Sequence, residues 1–540
     1  MKNRLLLPFI ILTAFFSSAG PLCAQLKNSA LWQEVSEAQA AASPGTAQRA
    51  TARREIIPQK YRSLALQKTA MRLLLNRAPR ESAGTMAKDG VEISLPLPEG
   101  GFGRFRIMES PIMEDGLAAK YPEIKTYVAQ GIDDPSASGR IDMTPRGLRA
   151  MVSSDKGSFF VDPYWSNSDE VSIVYYKRDH VDLQKMKNFA CGVAGREASA
   201  LNTASRPAAA RPTGTNLRTY RLALATTGEY SVAVAGGSPS KANVLIAMVT
   251  SVNRVNVVYE REFAIRMTLV ANTDLLIYLN SSTDPYTNNN GSTMLGQNQT
   301  TIDSIIGDAN YDIGHVFSTG GGGVAYLGSV CQSGSKAGGV TGSTNPVGDS
   351  FDIDYVAHEM GHQFGGDHTF NGTSAAVGSG TRNSATAYEP GSGSTIMAYA
   401  GICPPQDLQA HSDDYFHTVS YDQIDAYTSS GTGSAAFSVT ATGNTPPVIT
   451  ALPGSYNIPR QTPFALTAQA TDANGDSLTY CWEEFDRGGV QDPLLQVDNG
   501  ASPIFRSYDP VTSPTRTFPS LTYILNNANN PPVTYGSGYV

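Results

Sequence analysis

The sequence predicts a central α/β domain over residues 213–440. An α+β region, 25–212, precedes it, and an Ig- or cadherin-like β-sandwich module, 446–540, reads as following it and as incomplete. Three observations predict this. A chain of 540 residues exceeds what one hydrophobic core organises. Strand and helix patterns alternate through the middle of the chain, the mark of an α/β arrangement. Two stretches without periodicity, 198–215 and 443–447, are rich in Ala, Thr, Ser, Pro, Gly or Asn and read as joins between units.

At the N-terminus Lys2 and Arg4 precede an apolar run from Leu5 to Phe16, and small residues lead to Ala24. Residues 1–24 therefore read as a signal peptide with Gln25 as the first mature residue, which predicts a secreted protein. The run is short for a membrane span, and no later stretch is long and apolar enough to make one. Charged residues are only 16% of the chain and the net charge is −8, which suits a β-rich extracellular protein and disfavours a nucleic-acid-binding one, since no basic stripe stands out.

The segment Leu64-Ala65-Leu66-Gln67-Lys68-Thr69-Ala70 predicts a helix, and Val91–Leu95 and Ser172–Tyr176 predict strands. In the central domain Arg218–Ala225 predicts a strand, Lys241–Glu262 a long helix, Ile265–Val270 a strand, Ile302–Ile306 a helix and Gly314–Phe317 a buried strand carrying His315. Beyond 446, Phe464–Ala468 and Thr471–Tyr480 alternate, with Asn474-Gly475 as a turn signal. Asp472, Asn474 and Asp476 belong to that turn; Ca2+ is the alternative use of their oxygens.

Only seven histidines occur, and three fall within His358-Glu359-Met360-Gly361-His362-Gln363-Phe364-Gly365-Gly366-Asp367-His368. On a helix His358 and His362 share one face, while Ile353, Val356, Met360 and Phe364 map to the other. Glycine at 365 tolerates the left-handed turn that ends a helix, which lets His368 return as a third ligand. Three imidazoles leave one position of a Zn2+ ion open for water, whose pKa the metal lowers to about 7. Glu359, on the flank between the faces, is placed to take that water's proton and to pass it to the leaving amine.

The eleven-residue motif resembles the metzincin zinc metallopeptidases. The resemblance implies a Met-turn downstream, which Met397 in Ser394-Thr395-Ile396-Met397-Ala398-Tyr399 supplies. Tyr399, two residues on, resembles the tyrosine that in some of these enzymes approaches the zinc or the oxyanion; a ring packed under the cleft is the other reading. Gly320–Gly328 resembles the upper-rim edge strand that pairs with an extended peptide; a flexible glycine loop is the alternative. Cys191, in Phe189-Ala190-Cys191-Gly192-Val193, resembles the cysteine-switch element of reprolysin-like (adamalysin) prodomains, whose thiolate fills the open zinc position.

Cys331 and Cys403 flank the motif, and a disulfide between them would close a loop of roughly 70 residues, worth about 4 kcal/mol in the loop-entropy model. Cys481 then reads as a buried thiol in a strand. His411 and His417 read as surface or packing residues. Together these features predict a secreted, monomeric zinc metalloendopeptidase made as a latent zymogen and acting on peptides or proteins. A cell-surface adhesion or binding protein with a structural metal site is the alternative from another class, and an amidase on non-protein substrates a third.

Overall fold

The computed structural model describes residues 31–43, 52–83, 85–166, 168–180, 191–194, 212–320, 322–373, 381–459, 462–489 and 500–526. The expected signal peptide, and residues 198–211 of the expected linker, lie outside them.

Nine antiparallel strands make the N-terminal sheet: β1 (Trp32–Glu34), β2 (Arg62–Leu66), β3 (Val91–Pro96), β4 (Phe102–Glu109), β5 (Lys125–Gly131), β6 (Ser138–Thr144), β7 (Gly147–Ser153), β8 (Phe159–Trp165) and β9 (Ser168–Tyr176). β3 to β9 follow one another as a meander, and β2 then β1 extend the edge beyond β9. The helix expected over 64–70 begins later, at Lys68–Leu75, because Leu64 and Leu66 alternate inward on β2.

Over β7 to β9 both faces of this sheet are buried. Ala150 and Val152, Phe159 and Val161, and Val174 and Tyr176 fill a core of the N-terminal unit's own. Their alternate neighbours Met151, Phe160, Ile173 and Tyr175 join a second core with Val249, Val252 and Val255 of the Lys241–Phe263 helix. The period of two along each strand assigns alternate residues to the two cores. The helix is buried on nearly every side because a sheet lies on each flank. Ser240 caps its start through the Asn243 amide, and Ala264 ends it in the left-handed conformation at φ 53°.

The central domain carries a mixed sheet. Its strands are β10 (Cys191–Ala194), β11 (Asn216–Thr226), β12 (Ile265–Leu269), β13 (Ile313–Ser318), β14 (Gly322–Tyr326), β15 (Gly339–Gly342) and β16 (Ser438–Ala441). The order is β10-β14-β15-β13-β11-β12, with β16 also on β11. β11, β12, β13 and β15 run parallel, whereas β14 is antiparallel to β15. The strands and helices expected between 218 and 317 are found, the last helix longer than expected at Gly291–Ile305.

Beyond residue 446 the described residues hold two short antiparallel ladders, Val448–Ile449 with Ala470–Thr471 and Phe464–Thr467 with Thr515–Phe518. Residues 472–480 are not the expected strand pair. Asp472 Oδ1 accepts from the amides of Asn474 and Asp476, at 2.8 and 3.1 Å, and makes a local turn instead. That oxygen is thereby used, and neither Asp472 nor Asp476 joins a cation cluster among the described residues, so calcium is not supported here. The stretch from Cys481 packs on the central domain: Glu483 accepts from the Thr418 amide at 2.7 Å, and Phe485 stacks on Tyr388. No helix among the described residues is long and apolar enough to cross a membrane.

Candidate metal centre

The motif helix runs without a break through Asp349–Phe351, a π-helical stretch Asp352–Ala357, and His358–Gln363. Ile353, Val356, Met360 and Phe364 are all in the core, as the spacing predicts. Gly361, between the first two histidines, is needed there: a Cβ would stand 2.5 Å from Met397 Sδ, so the methionine lies directly under the helix. Gly365 ends the helix at φ 97°. His368 then turns back, with Asp367 Oδ1 accepting its amide at 2.7 Å and Gln423 accepting the Asp367 amide at 3.0 Å.

The three imidazoles converge. Nδ1 of His358 donates to the carbonyl of Ile396, that of His362 to Gly366 and that of His368 to Thr381, at 2.6, 2.7 and 2.6 Å. A carbonyl can only accept, so each Nδ1 carries the proton and each Nε2 turns a lone pair inward. The Nε2 atoms stand 3.1, 3.1 and 3.3 Å apart. Lone pairs at that separation repel unless a cation lies between them.

The fourth corner is Cys191 Sγ, 3.4 Å from Nε2 of His358 and 3.5 Å from those of His362 and His368. Tetrahedral zinc with its usual bond lengths sets edges of about 3.3 Å between nitrogens and about 3.6 Å from nitrogen to sulfur. The donor set and its spacing fit zinc, and all four residues are buried.

Cys191 arrives on β10, which pairs parallel with β14: Cys191 lies opposite Gly323 and Ala194 opposite Tyr326. Gly322–Tyr326 is thus a strand and not a loop, and its free edge is taken by residues 191–194. Tyr399 packs its ring edge-on against His368 at 4.7 Å and stacks on Phe370 at 4.3 Å, while its hydroxyl donates to the Cys191 carbonyl at 3.2 Å.

Glu359 is fully buried beside the ligands, and the Cys191 thiol is the one hydrogen-bonding group that its carboxylate meets among the described residues. Burial pushes its carboxyl up to about 8, an effect that the neighbouring Cys191 thiol only partly offsets. It fits because residue 323 is glycine; a Cβ there would lie 2.0 Å from Glu359 Oε1.

Some expectations are corrected. No disulfide joins Cys331 to Cys403. Cys331, at φ 64°, turns its thiol toward the Ala435 carbonyl, whereas Cys403 packs with Cys191, Phe370 and Tyr399. Cys481 is exposed and outside any strand, with its thiol 3.3 Å from the Tyr508 carbonyl. His417, a packing residue as expected, lies beside the stacked rings of Tyr388 and Phe485. His411 is buried against Asp354. His315 stands on β13, the strand expected for it, and bridges Gln363 of the motif helix and Thr341 of β15.

One supporting residue was not singled out from the sequence. Glu389 accepts from the amides of Ser394 and Thr395, at 2.8 and 3.1 Å, and from the hydroxyls of Thr369 and Thr395, and so fixes the turn that carries Met397. A buried carboxylate between two glycine-rich stretches leaves no periodic signal.

Residues 216–427 match the family model described as metallo-peptidase family M12B, reprolysin-like. Among solved structures, a crystal structure of metalloproteinase-II from Bacteroides fragilis is similar at 11% identity and a TM-score of 0.33, covering 65% of this chain and 97% of that one. No curated protein matches the chain.

Proposed function

We propose that this chain, whose residues 216–427 are a reprolysin-like metallopeptidase domain of family M12B, is a secreted zinc endopeptidase made as a latent zymogen. The reading assigns 1–24 to a signal peptide, 25–212 to a prodomain, 213–440 to the catalytic domain and 446–540 to an accessory β module. The protein acts outside the cell as a monomer on peptide or protein substrates.

The observation that carries this reading is the fourth corner of the metal centre. His358, His362 and His368 would hold zinc through Nε2, and Cys191 Sγ completes the set. Zinc supplies a Lewis acid that acidifies water and polarises a peptide carbonyl. A four-cornered Cys and His shell is also what a structural zinc has, which would suit an adhesion protein. Glu359 favours the enzyme. A carboxylate buried beside the ligands, with no cation of the protein against it, contributes nothing to a structural site and costs stability, whereas a peptidase needs a base there. With residues 191–194 withdrawn, Glu359 is placed to receive the proton of the attacking water on a carboxylate oxygen and to deliver it to the leaving nitrogen. The vacated edge of β14 offers backbone hydrogen bonds to an extended peptide. The Tyr399 hydroxyl, released from the Cys191 carbonyl, can donate to the developing oxyanion.

The test is casein digestion by the processed protein with and without chelator, beside Glu359→Ala. Chelator-sensitive digestion that the variant lacks while keeping its zinc supports the mechanism; equal digestion by both refutes it.

A further inference from the structure

A second group of ligand-type side chains lies apart from the zinc centre. Asp349 and Asp354 stand on the motif helix, His411 follows the Met397 turn, and one ligand atom from each lies within 4.8 Å of the other two. All three are buried. His411 Nδ1 is 2.8 Å from Asp354 Oδ2 and 3.9 Å from Asp349 Oδ2. Asp349 is 1% exposed, and its Oδ2 takes no hydrogen bond.

A cation is already seated among them, and it belongs to the other domain. Lys177, just beyond β9, places Nζ 3.1 Å from Asp349 Oδ1 and 3.5 Å from Asp354 Oδ1. Nζ pairs with Asp349 and lies within ion-pair reach of Asp354. The pocket thus already holds one positive charge between its two carboxylates. Two carboxylates buried together need such charge, and the ammonium that supplies it leaves if the N-terminal domain leaves. Two carboxylates and one imidazole form a donor set suited to Mn2+, which accepts both oxygen and nitrogen ligands.

We propose that Asp349, Asp354 and His411 form a divalent-cation site of the catalytic domain, which Lys177 Nζ fills in the full chain. Cation and N-terminal domain then compete for the same charge, and occupancy of the site helps to expel a cleaved N-terminal domain. The proposal goes beyond the zymogen reading, and its test needs no cleavage.

The test uses the zinc-loaded full chain, titrated with Mn2+ and followed by the electron paramagnetic resonance signal of free Mn2+, with melting temperature in parallel. Lys177→Ala is expected to take up one equivalent of Mn2+ and to melt higher in its presence. The wild type should bind at least about 100-fold more weakly, and Lys177→Ala with Asp349→Asn should match the wild type. If Lys177→Ala does not fold, Lys177→Met, which keeps the packed stem without the charge, decides in its place. A folded Lys177 variant that takes up no Mn2+, or uptake equal to that of the wild type, overturns the proposal.

Discussion

The hydroxyl of Tyr399 donates to the backbone carbonyl of Cys191 at 3.2 Å while its ring meets the His368 imidazole edge-on at 4.7 Å. One side chain therefore touches both the residue that closes the metal centre and the third ligand. The bond to Cys191 is a neutral one, worth about 1 kcal/mol. On the proposed mechanism the same donor would, in the open site, face the place where negative charge develops on substrate.

Tyr399→Phe is accordingly expected to act in opposite directions in two forms of the protein. In the uncleaved chain it loosens the closing segment, and residual peptidase activity rises by about fivefold. In the processed enzyme kcat falls by about 10–100-fold with little change in KM. Steady-state kinetics on both forms check this, and unchanged kcat in the processed variant would remove Tyr399 from the chemistry.

Cys191→Ala removes the sulfur corner but leaves the pairing of Gly192, Val193 and Ala194 with β14. Activity of the uncleaved chain on a short fluorogenic peptide should rise by about tenfold, which corresponds to about 1.4 kcal/mol of lost closure. It should stay below that of the processed enzyme, because the strand edge is still occupied. Activity equal to the wild-type chain would mean that strand pairing alone keeps the enzyme latent.

Gly323→Ala tests how Glu359 is held. The added methyl would fall 2.0 Å from Oε1 and 2.5 Å from Cγ of Glu359, too close for either side to absorb without a shift. Glu359 must move, so kcat should fall by about 100-fold or more, with a stability loss of about 1–3 kcal/mol. Zinc content, measured by atomic absorption, should not change, since no ligand is touched. Wild-type turnover in this variant would show that Glu359 acts from another position.

What was legible in the sequence divides along physical lines. His358, Glu359, His362 and His368 lie within a few turns of one another, so helical spacing and one glycine nearly determine their geometry. Met397 and Tyr399 follow at short range. The supports were not legible. The carbonyls of Ile396, Gly366 and Thr381 orient the imidazoles through backbone atoms that every residue carries. Gly323 gains its meaning only from a side chain that packs on it from another element. The Cys331–Cys403 pairing was inferred from flanking positions, but flanking in sequence does not set a distance, and the left-handed turn at Cys331 aims its thiol elsewhere. Lys177 illustrates the same limit: in sequence it is an unremarked lysine, and only docking of the two domains puts it between Asp349 and Asp354.

The domain interface should leave a mark on acid stability through Asp414. Burial by itself would raise this carboxyl. Arg261 and Lys177, with the Ser153 and Ser158 hydroxyls at 2.5 and 2.7 Å, outweigh it and hold the group down to about 2. A carboxylate held below its unfolded value of 3.8 stabilises the folded state fully above that value, and the stabilisation is lost as pH falls through the folded value. Asp414→Asn should therefore destabilise the full chain near neutrality by up to about 3 kcal/mol. The gap in melting temperature between wild type and variant should hold steady down to pH of about 4 and shrink toward pH of about 2. Because Ser153, Ser158 and Lys177 belong to the N-terminal domain, the cleaved and separated catalytic domain should show a smaller gap at every pH. A gap that widens on acidification would reverse the sign and remove Asp414 from the interface's electrostatics.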